Sequence, residues 1–170
     1  MTNVTLQNII ESQLTSFLNK YSFTLSSFSS RRVVYTNGRT TINFDMGPGD
    51  STPSISLTDI AHSKTYPLLN IMTFLAPSHH YPKENERPED PTELIIFSVN
   101  NTQALLSTYC DNMLRGDFSQ VHDNPAYESH LSTLRQYTQF VFSLPNNHPI
   151  HDKFWSLDFT WIDDVKKLLD

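Results

Sequence analysis

The run Arg31-Arg32-Val33-Val34-Tyr35-Thr36-Asn37-Gly38-Arg39-Thr40-Thr41-Ile42-Asn43-Phe44 constrains this chain more than any other segment. Asn-Gly supplies two residues that tolerate positive φ, as a tight type I′ hairpin turn requires, and the flanks are rich in β-branched and aromatic residues. With Asn37 and Gly38 as the turn, Tyr35 opposes Thr40, Val33 opposes Ile42 and Arg31 opposes Phe44. Those residues share one face and leave Arg32, Val34, Thr36, Arg39, Thr41 and Asn43 on the other. One face is apolar and needs a cover, and sheets built from such hairpins are antiparallel.

Further strands flank the hairpin. Phe23-Thr24-Leu25 is a short alternating run that ends in the Ser-rich stretch 26–30. Gly47-Pro48-Gly49-Asp50 is a second turn, after which Ile55, Leu57 and Asp59 alternate in another strand. Cover comes from helical segments. Leu6, Ile9, Ile10, Leu14, Phe17 and Leu18 recur at helical spacing behind Asn3 or Thr5 as N-cap. Pro67 suits the first helical position of an apolar helix over Leu68, Leu69, Ile71, Met72 and Leu75, which ends at Pro77.

Residues 94–99 alone fit a buried strand or a helix. They lead directly into Ala104, Leu105, Tyr109, Met113 and Leu114 at helical spacing, which favours helix, with Gly116 as the stop. Asp123 or Asn124 caps a helix with Pro125 in its first turn and Tyr127, Leu131, Leu134, Thr138 and Val141 inward. After a polar hinge at 146–149, the aromatic tail Phe154, Trp155, Leu157, Phe159 and Trp161 folds back to complete the core. A final helix carries Ile162, Val165, Leu168 and Leu169 on one side. The expected architecture is a single α+β domain over 1–170. It has an N-terminal helix, an antiparallel meander of three to five strands across residues 21–65, and a helical C-terminal half packed on one sheet face.

A 170-residue chain that is 38% hydrophobic and 12% aromatic buries a core without a disulfide or metal staple. The net charge of −6 argues against a general nucleic-acid binder, which needs a basic face. It is also unevenly placed: residues 1–80 carry five basic and four acidic groups, and residues 81–170 seven and fourteen. No segment reaches the ~18 apolar residues of a membrane span, and the first residues lack a signal-peptide pattern, so a cytoplasmic protein is expected. Cys110, the one cysteine, lies beside Asp111 and reads as a buried, inert thiol.

Motifs for chemistry are sparse. There is no Gly-x-Ser-x-Gly elbow, and glycines at only 38, 47, 49 and 116 leave no phosphate-cradling loop. His79-His80, His122 and His130 match no ligand spacing. His148, His151 and Asp152 offer two imidazoles and a carboxylate, but the histidines stand three apart across a proline, unlike the four-residue spacing of a zinc helix. Thr160 and Asp163 read as a capping box, and Arg31, Arg32 and Arg39 as the polar face of the hairpin. No catalytic residue, metal or cofactor is therefore expected. The Pro-rich segment 77–91 reads as a long exposed loop. Its acidic residues Glu84, Glu86, Glu89 and Asp90, partly offset by Lys83 and Arg87, project a negative surface that folding does not require. That makes it a candidate site for a basic protein partner such as a toxin domain.

The order of an N-terminal helix, Phe23-x-Leu25, Val33-Val34-Tyr35-x-Asn37, Ile42-x-Phe44-Asp45, Ile55-x-Leu57, Tyr66-Pro67-Leu68-x3-Met72 and Leu105-x3-Tyr109-x3-Met113-Leu114-x-Gly116-Asp117 resembles small bacterial proteins of uncharacterised families. Some of those occur as immunity proteins of polymorphic toxin systems. The resemblance covers residues 6–118 and implies an α+β domain without enzymatic residues; it carries over no site residue. The leading expectation is a non-enzymatic interaction domain, a toxin-neutralising immunity protein. The alternative is a small-ligand binder or enzyme with a pocket between sheet and helices, with a His-bound metal.

Overall fold

Asn37 does not take the left-handed turn conformation; it directly follows the strand Arg32–Thr36 and works through its side chain. The computed structural model describes residues 5–77, 87–155 and 159–169. In chain order its elements are α1 (Leu6–Lys20), β1 (Thr24–Phe28), β2 (Arg32–Thr36), β3 (Thr40–Asp45), β4 (Ser54–Asp59), β5 (Lys64–Pro67), α2 (Leu68–Leu75) and α3 (Pro91–Tyr109). There follow α4 (Asp111–Leu114), α5 (Pro125–Ser143), α6 (Pro149–Trp155) and α7 (Thr160–Leu169). Two compact units account for the chain. The first is Met1–Ile71 with Pro88–Phe118, the second Met72–Arg87 with Ser119–Asp170.

The first unit holds a five-stranded antiparallel meander in the order β1-β2-β3-β4-β5. Thr36 pairs with Thr41, Tyr35 with Ile42 and Val33 with Phe44, two residues away from the register expected from an Asn37-Gly38 turn. Only Gly38 takes the positive φ, at +81°. Asn37 is held on both sides of its amide. Its Oδ1 accepts from the N–H groups of Arg39 (3.1 Å) and Thr40 (2.9 Å), and its Nδ2 donates to the carbonyls of Tyr21 (3.1 Å) and Leu114 (2.8 Å). A slip of two preserves side-chain alternation, so the expected inner face survives: Val33, Tyr35, Ile42 and Phe44 are buried, joined by Leu57 and Tyr66.

Strand β1 also departs from expectation. It runs through the Ser-rich stretch to Phe28, pairing Leu25 with Tyr35 and Phe28 with Val33 around a bulge at Ser26. At the other end of the sheet, Pro67 closes β5 rather than opening a helix. The Gly47–Asp50 turn is present, with the Gly47 N–H donating to Asp50 Oδ2 at 2.7 Å.

Helix α1 is capped by Thr5, whose hydroxyl accepts from the Asn8 N–H, and it buries the six apolar residues that recur at helical spacing. It packs against α3 and on β1 and β2. Residues 94–99 are helical, as their continuation into the following periodic stretch implied, because Asp90 and Pro91 together start α3 upstream of them. Both α1 and α4 end in the same way, with one residue in the left-handed region (Ser22 at +59°, Gly116 at +94°) and the next N–H returning to a carbonyl four residues before that one. The terminal carbonyls of Tyr21 and Leu114 remain, and Asn37 serves both. Thr40, fully buried, adds a hydroxyl bond to the Met113 carbonyl at 2.5 Å.

In the second unit Asn124 caps α5 through the N–H groups of Ala126 and Tyr127, with Pro125 in the first turn. Val141 on α5, Ile150 on α6, and Trp161 and Val165 on α7 form a core with Leu134, Tyr137, Phe140, Leu144, Phe154 and Ile162 around them. The aromatic tail thus folds inward where it is described, and Phe154 meets Trp161 edge-on at 5.1 Å. Trp161 and Val165 are the buried face of α7; Leu168 and Leu169, expected on that face, are more than half exposed. Among the described residues no helix is long and apolar enough to cross a membrane.

Candidate functional site

The acidic segment divides at the edge of the described residues. Glu84 and Glu86, with Lys83, lie outside them; Glu89 and Asp90 are described and exposed. Asp90 is the N-cap of α3: its Oδ1 accepts from the N–H groups of Thr92 and Glu93, both at 2.9 Å. This corrects the expectation that folding does not use these acids, because a capping carboxylate satisfies N–H groups that α3 itself cannot. Pro91, read as part of the loop, is the first residue of α3. Glu93 in the first helical turn adds a third exposed carboxylate. Glu89, Asp90 and Glu93 form no ion pair among the described residues, and they stand where the positive end of the α3 dipole favours negative charge.

The histidines fall into separate settings. His79 and His80 lie outside the described residues. His148 precedes α6 and accepts the Ile150 N–H on Nδ1 at 3.3 Å; His151 is buried in α6, and Asp152 is exposed. The ligand atoms of these three do not come together among the described residues. The reason is local: with Pro149 as the first helical residue, His148 is spent on the Ile150 N–H while His151 is buried. His151 Nε2 and the Tyr35 hydroxyl are buried without a hydrogen-bond partner among the described residues. Burial pushes the Tyr35 phenol up to about 12, with Glu11 adding to the rise. His130, in α5, shares a hydrogen bond with the Thr73 hydroxyl at 3.0 Å, and burial holds its imidazole below the usual range.

One pair escaped sequence reading. Asp59, the buried last residue of β4, accepts the Ala61 N–H at 3.0 Å and lies 2.7 Å from His62 Nδ1. A buried carboxylate that fixes an imidazole through Nδ1 is an arrangement suited to proton transfer or metal ligation. The signal available was an Asp-x-x-His spacing at the β4–β5 turn, where Asp59 drew notice only as an alternating strand residue. Two of the hairpin arginines have neighbours on the sheet unit itself: Arg32 pairs with Asp45 at 3.3 Å, and the stem of Arg39 lies against Gly116.

Cys110 is fully buried and burial pushes its thiol up to about 12, consistent with the inert role expected. Asp111, beside it, belongs to a surface network. It accepts from Tyr21 Oη at 2.6 Å and from Arg115 Nε at 3.0 Å, while Lys20 Nζ donates to the same phenol at 3.1 Å. The Arg115 and Tyr21 hydrogen bonds hold the Asp111 carboxyl below its ordinary value.

Comparison with family models, with curated proteins and with solved structures finds no match for this chain.

Proposed function

We propose that this chain is a non-enzymatic protein-interaction domain whose acidic surface binds a basic protein, as a bacterial immunity protein binds and neutralises a toxin domain. The observation that carries the reading is the cluster of exposed carboxylates at the start of α3, Glu89, Asp90 and Glu93, without an ion-pair partner among the described residues. They continue the acidic run Glu84 and Glu86 in the more acidic half of the chain. A one-sign surface of this kind speeds encounter with a basic protein and makes binding sensitive to salt. The test is co-expression with the product of the adjacent gene, scoring relief of growth arrest. E84Q/E86Q/E89Q/E93Q, which keeps the Asp90 cap, should slow association about tenfold with little change in melting temperature. Wild-type protein that gives no relief removes the immunity reading; full relief with unaltered on-rate from the variant removes this site.

A second reading, a small-ligand or metal-binding protein, draws on Asp59 and His62 alone. Elemental analysis of the purified protein separates the two, since stoichiometric zinc or iron that D59N abolishes favours the second.

A further inference from the structure

Of the thirteen asparagines in the chain, only Asn37 stands before a glycine. The pairing has a chemical meaning beyond turn formation. An asparagine side chain is open to attack by the backbone nitrogen of the next residue, and glycine has no side chain to hinder the approach. One part of that reaction is already assembled here. Asn37 Oδ1 accepts from the N–H groups of Arg39 and Thr40 at 3.1 and 2.9 Å, two donors that also stabilise an oxyanion on that atom. Gly38 is exposed, so solvent base has access to it.

The nucleophile and the leaving group are held back. The Gly38 N–H donates to Thr36 Oγ1 at 3.2 Å. Asn37 Nδ2 would have to leave as ammonia, which takes one more proton. The two groups it faces, the carbonyls of Tyr21 (3.1 Å) and Leu114 (2.8 Å), are acceptors with none to give. Those same two bonds stop the amide from turning onto the Gly38 nitrogen. One guard is the end of α1 and the other the end of α4, where the Thr40 hydroxyl also holds the Met113 carbonyl.

We propose that Asn37-Gly38 is a self-modification site that stays closed while α4 is docked and reacts when α4 withdraws. Local openings of this kind occur in native proteins below the cost of global unfolding. With the Leu114 carbonyl gone from Nδ2, water takes its place and supplies the proton. The Gly38 nitrogen, having lost its own proton to water or hydroxide, bonds to Asn37 Cγ. The Cγ–Nδ2 bond breaks, and ammonia leaves behind a five-membered imide. Water then opens the ring, at Cγ to give aspartate and at the backbone carbonyl carbon to give isoaspartate. One water is consumed and one ammonia released, with nothing oxidised or reduced. Nδ2 is gone from both products, so the carbonyls of Tyr21 and Leu114 lose their shared donor for good. A brief opening of the first unit thereby becomes a lasting one. The inference does not rest on binding of a basic partner.

The experiment ages the full chain at mildly alkaline pH and follows Asn37 by peptide mass mapping, with isoaspartate scored by enzymatic methylation. Native wild type should convert about 25-fold more slowly than the same chain unfolded in guanidinium chloride, the two Nδ2 bonds counting about fivefold each. Thr40→Val deletes the hydroxyl bond to Met113, and Gly116→Ala places a Cβ 2.8 Å from Arg39 Cβ; both loosen α4 without altering Asn37 or Gly38. Each should convert about fivefold faster than wild type with an unchanged circular dichroism spectrum. Converted wild-type protein should also exchange the hydrogen-bonded amides of Leu114, Arg115, Gly116 and Asp117 faster than unconverted protein. Native conversion as fast as in the unfolded chain overturns the proposal, as do folded variants that convert at the wild-type rate, or converted protein whose α4 amides exchange as before. If a variant fails to fold, the native-against-unfolded rates and the exchange of converted wild type decide.

Discussion

Asn37→Ala tests whether the side chain that displaced the expected turn also holds the first unit together. The substitution removes two donors from the carbonyls of Tyr21 and Leu114, which lie at the C-terminal ends of α1 and α4, and one acceptor that serves two turn N–H groups. A carbonyl left without its donor costs roughly 1–3 kcal/mol when buried, and both of these are partly buried, so the low end of that range, about 1 kcal/mol, applies twice. The turn acceptor, exposed toward Arg39 and part-buried toward Thr40, adds about 1 kcal/mol, for a total near 3 kcal/mol and a fall in melting temperature of roughly 6–12 °C in a chain of this length. Asn37→Asp separates the two duties. It keeps the turn acceptor but turns a second oxygen toward two carbonyls, so it should destabilise at least as much as alanine. The readout must belong to the right unit: Trp155 and Trp161 both lie in the second, so tryptophan fluorescence is a poor reporter here. Native-state exchange of the β2 and β3 amides, with urea unfolding by circular dichroism, measures the first unit. An Asn37→Asp protein as stable as wild type would show that the side chain acts only in its turn and that the helix ends need nothing from it.

Gly116→Ala should cost about 3 kcal/mol against about 1 for Gly38→Ala. Both glycines have positive φ, but a Cβ at 116 would lie 2.8 Å from Arg39 Cβ whereas one at 38 meets nothing within 4 Å; equal urea midpoints for the two variants would contradict this. Asp111, whose folded carboxyl is held down by Arg115 and Tyr21, contributes stability that is present above its ordinary value of 3.8 and is lost as pH falls through the lower folded value. Asp111→Asn should therefore melt below wild type at neutral pH, and the two melting curves should converge in acid; a pH-independent gap would remove the ionic explanation. Cys110, buried with its thiol pushed up to about 12, should be unreactive to a thiol reagent at pH 8 until denaturant is added, and rapid stoichiometric labelling of native protein would show that the site opens.

The helices and the inner sheet face were legible because burial writes them as periodicity. Leu6 to Leu18 repeat at helical spacing, and Val33, Tyr35, Ile42, Phe44 and Leu57 alternate; these patterns survive local errors, as the two-residue slip of the hairpin shows. The register itself was not legible. It depends on what Asn37 bonds to, and its partners Tyr21 and Leu114 lie 16 and 77 residues away. Strand β1 was cut short because serine is a poor strand former, and an edge strand exposed along its length carries no burial pattern to read. The acidic segment was found from charge, but charge does not reveal a cap: Asp90 looked like its neighbours until the N–H groups of Thr92 and Glu93 were placed against it. The Asp59–His62 pair was not legible because an isolated Asp-x-x-His spacing has no periodicity to mark it.

The bonds from Asn37 and Thr40 to α4 also set an order of events during synthesis. Every strand of the sheet pairs with its chain neighbour, so the meander can assemble once residue 67 has cleared the ribosome. Its turn end is completed only when Met113 and Leu114 emerge, 73 residues after Thr40 and 77 after Asn37. The sheet itself can be complete once Pro67 is out, so at about 5–20 residues per second the stretch from Pro67 to Leu114 is a wait of roughly 2–9 s. Through that interval α1 can pack on β1 and β2 but α4 is absent, and the carbonyl of Tyr21 is bonded to an Asn37 anchored at one end only. A chain halted before residue 111 would therefore hold a sheet whose buried Thr40 hydroxyl and Asn37 amide lack their α4 partners, a target for holdase chaperones and proteases.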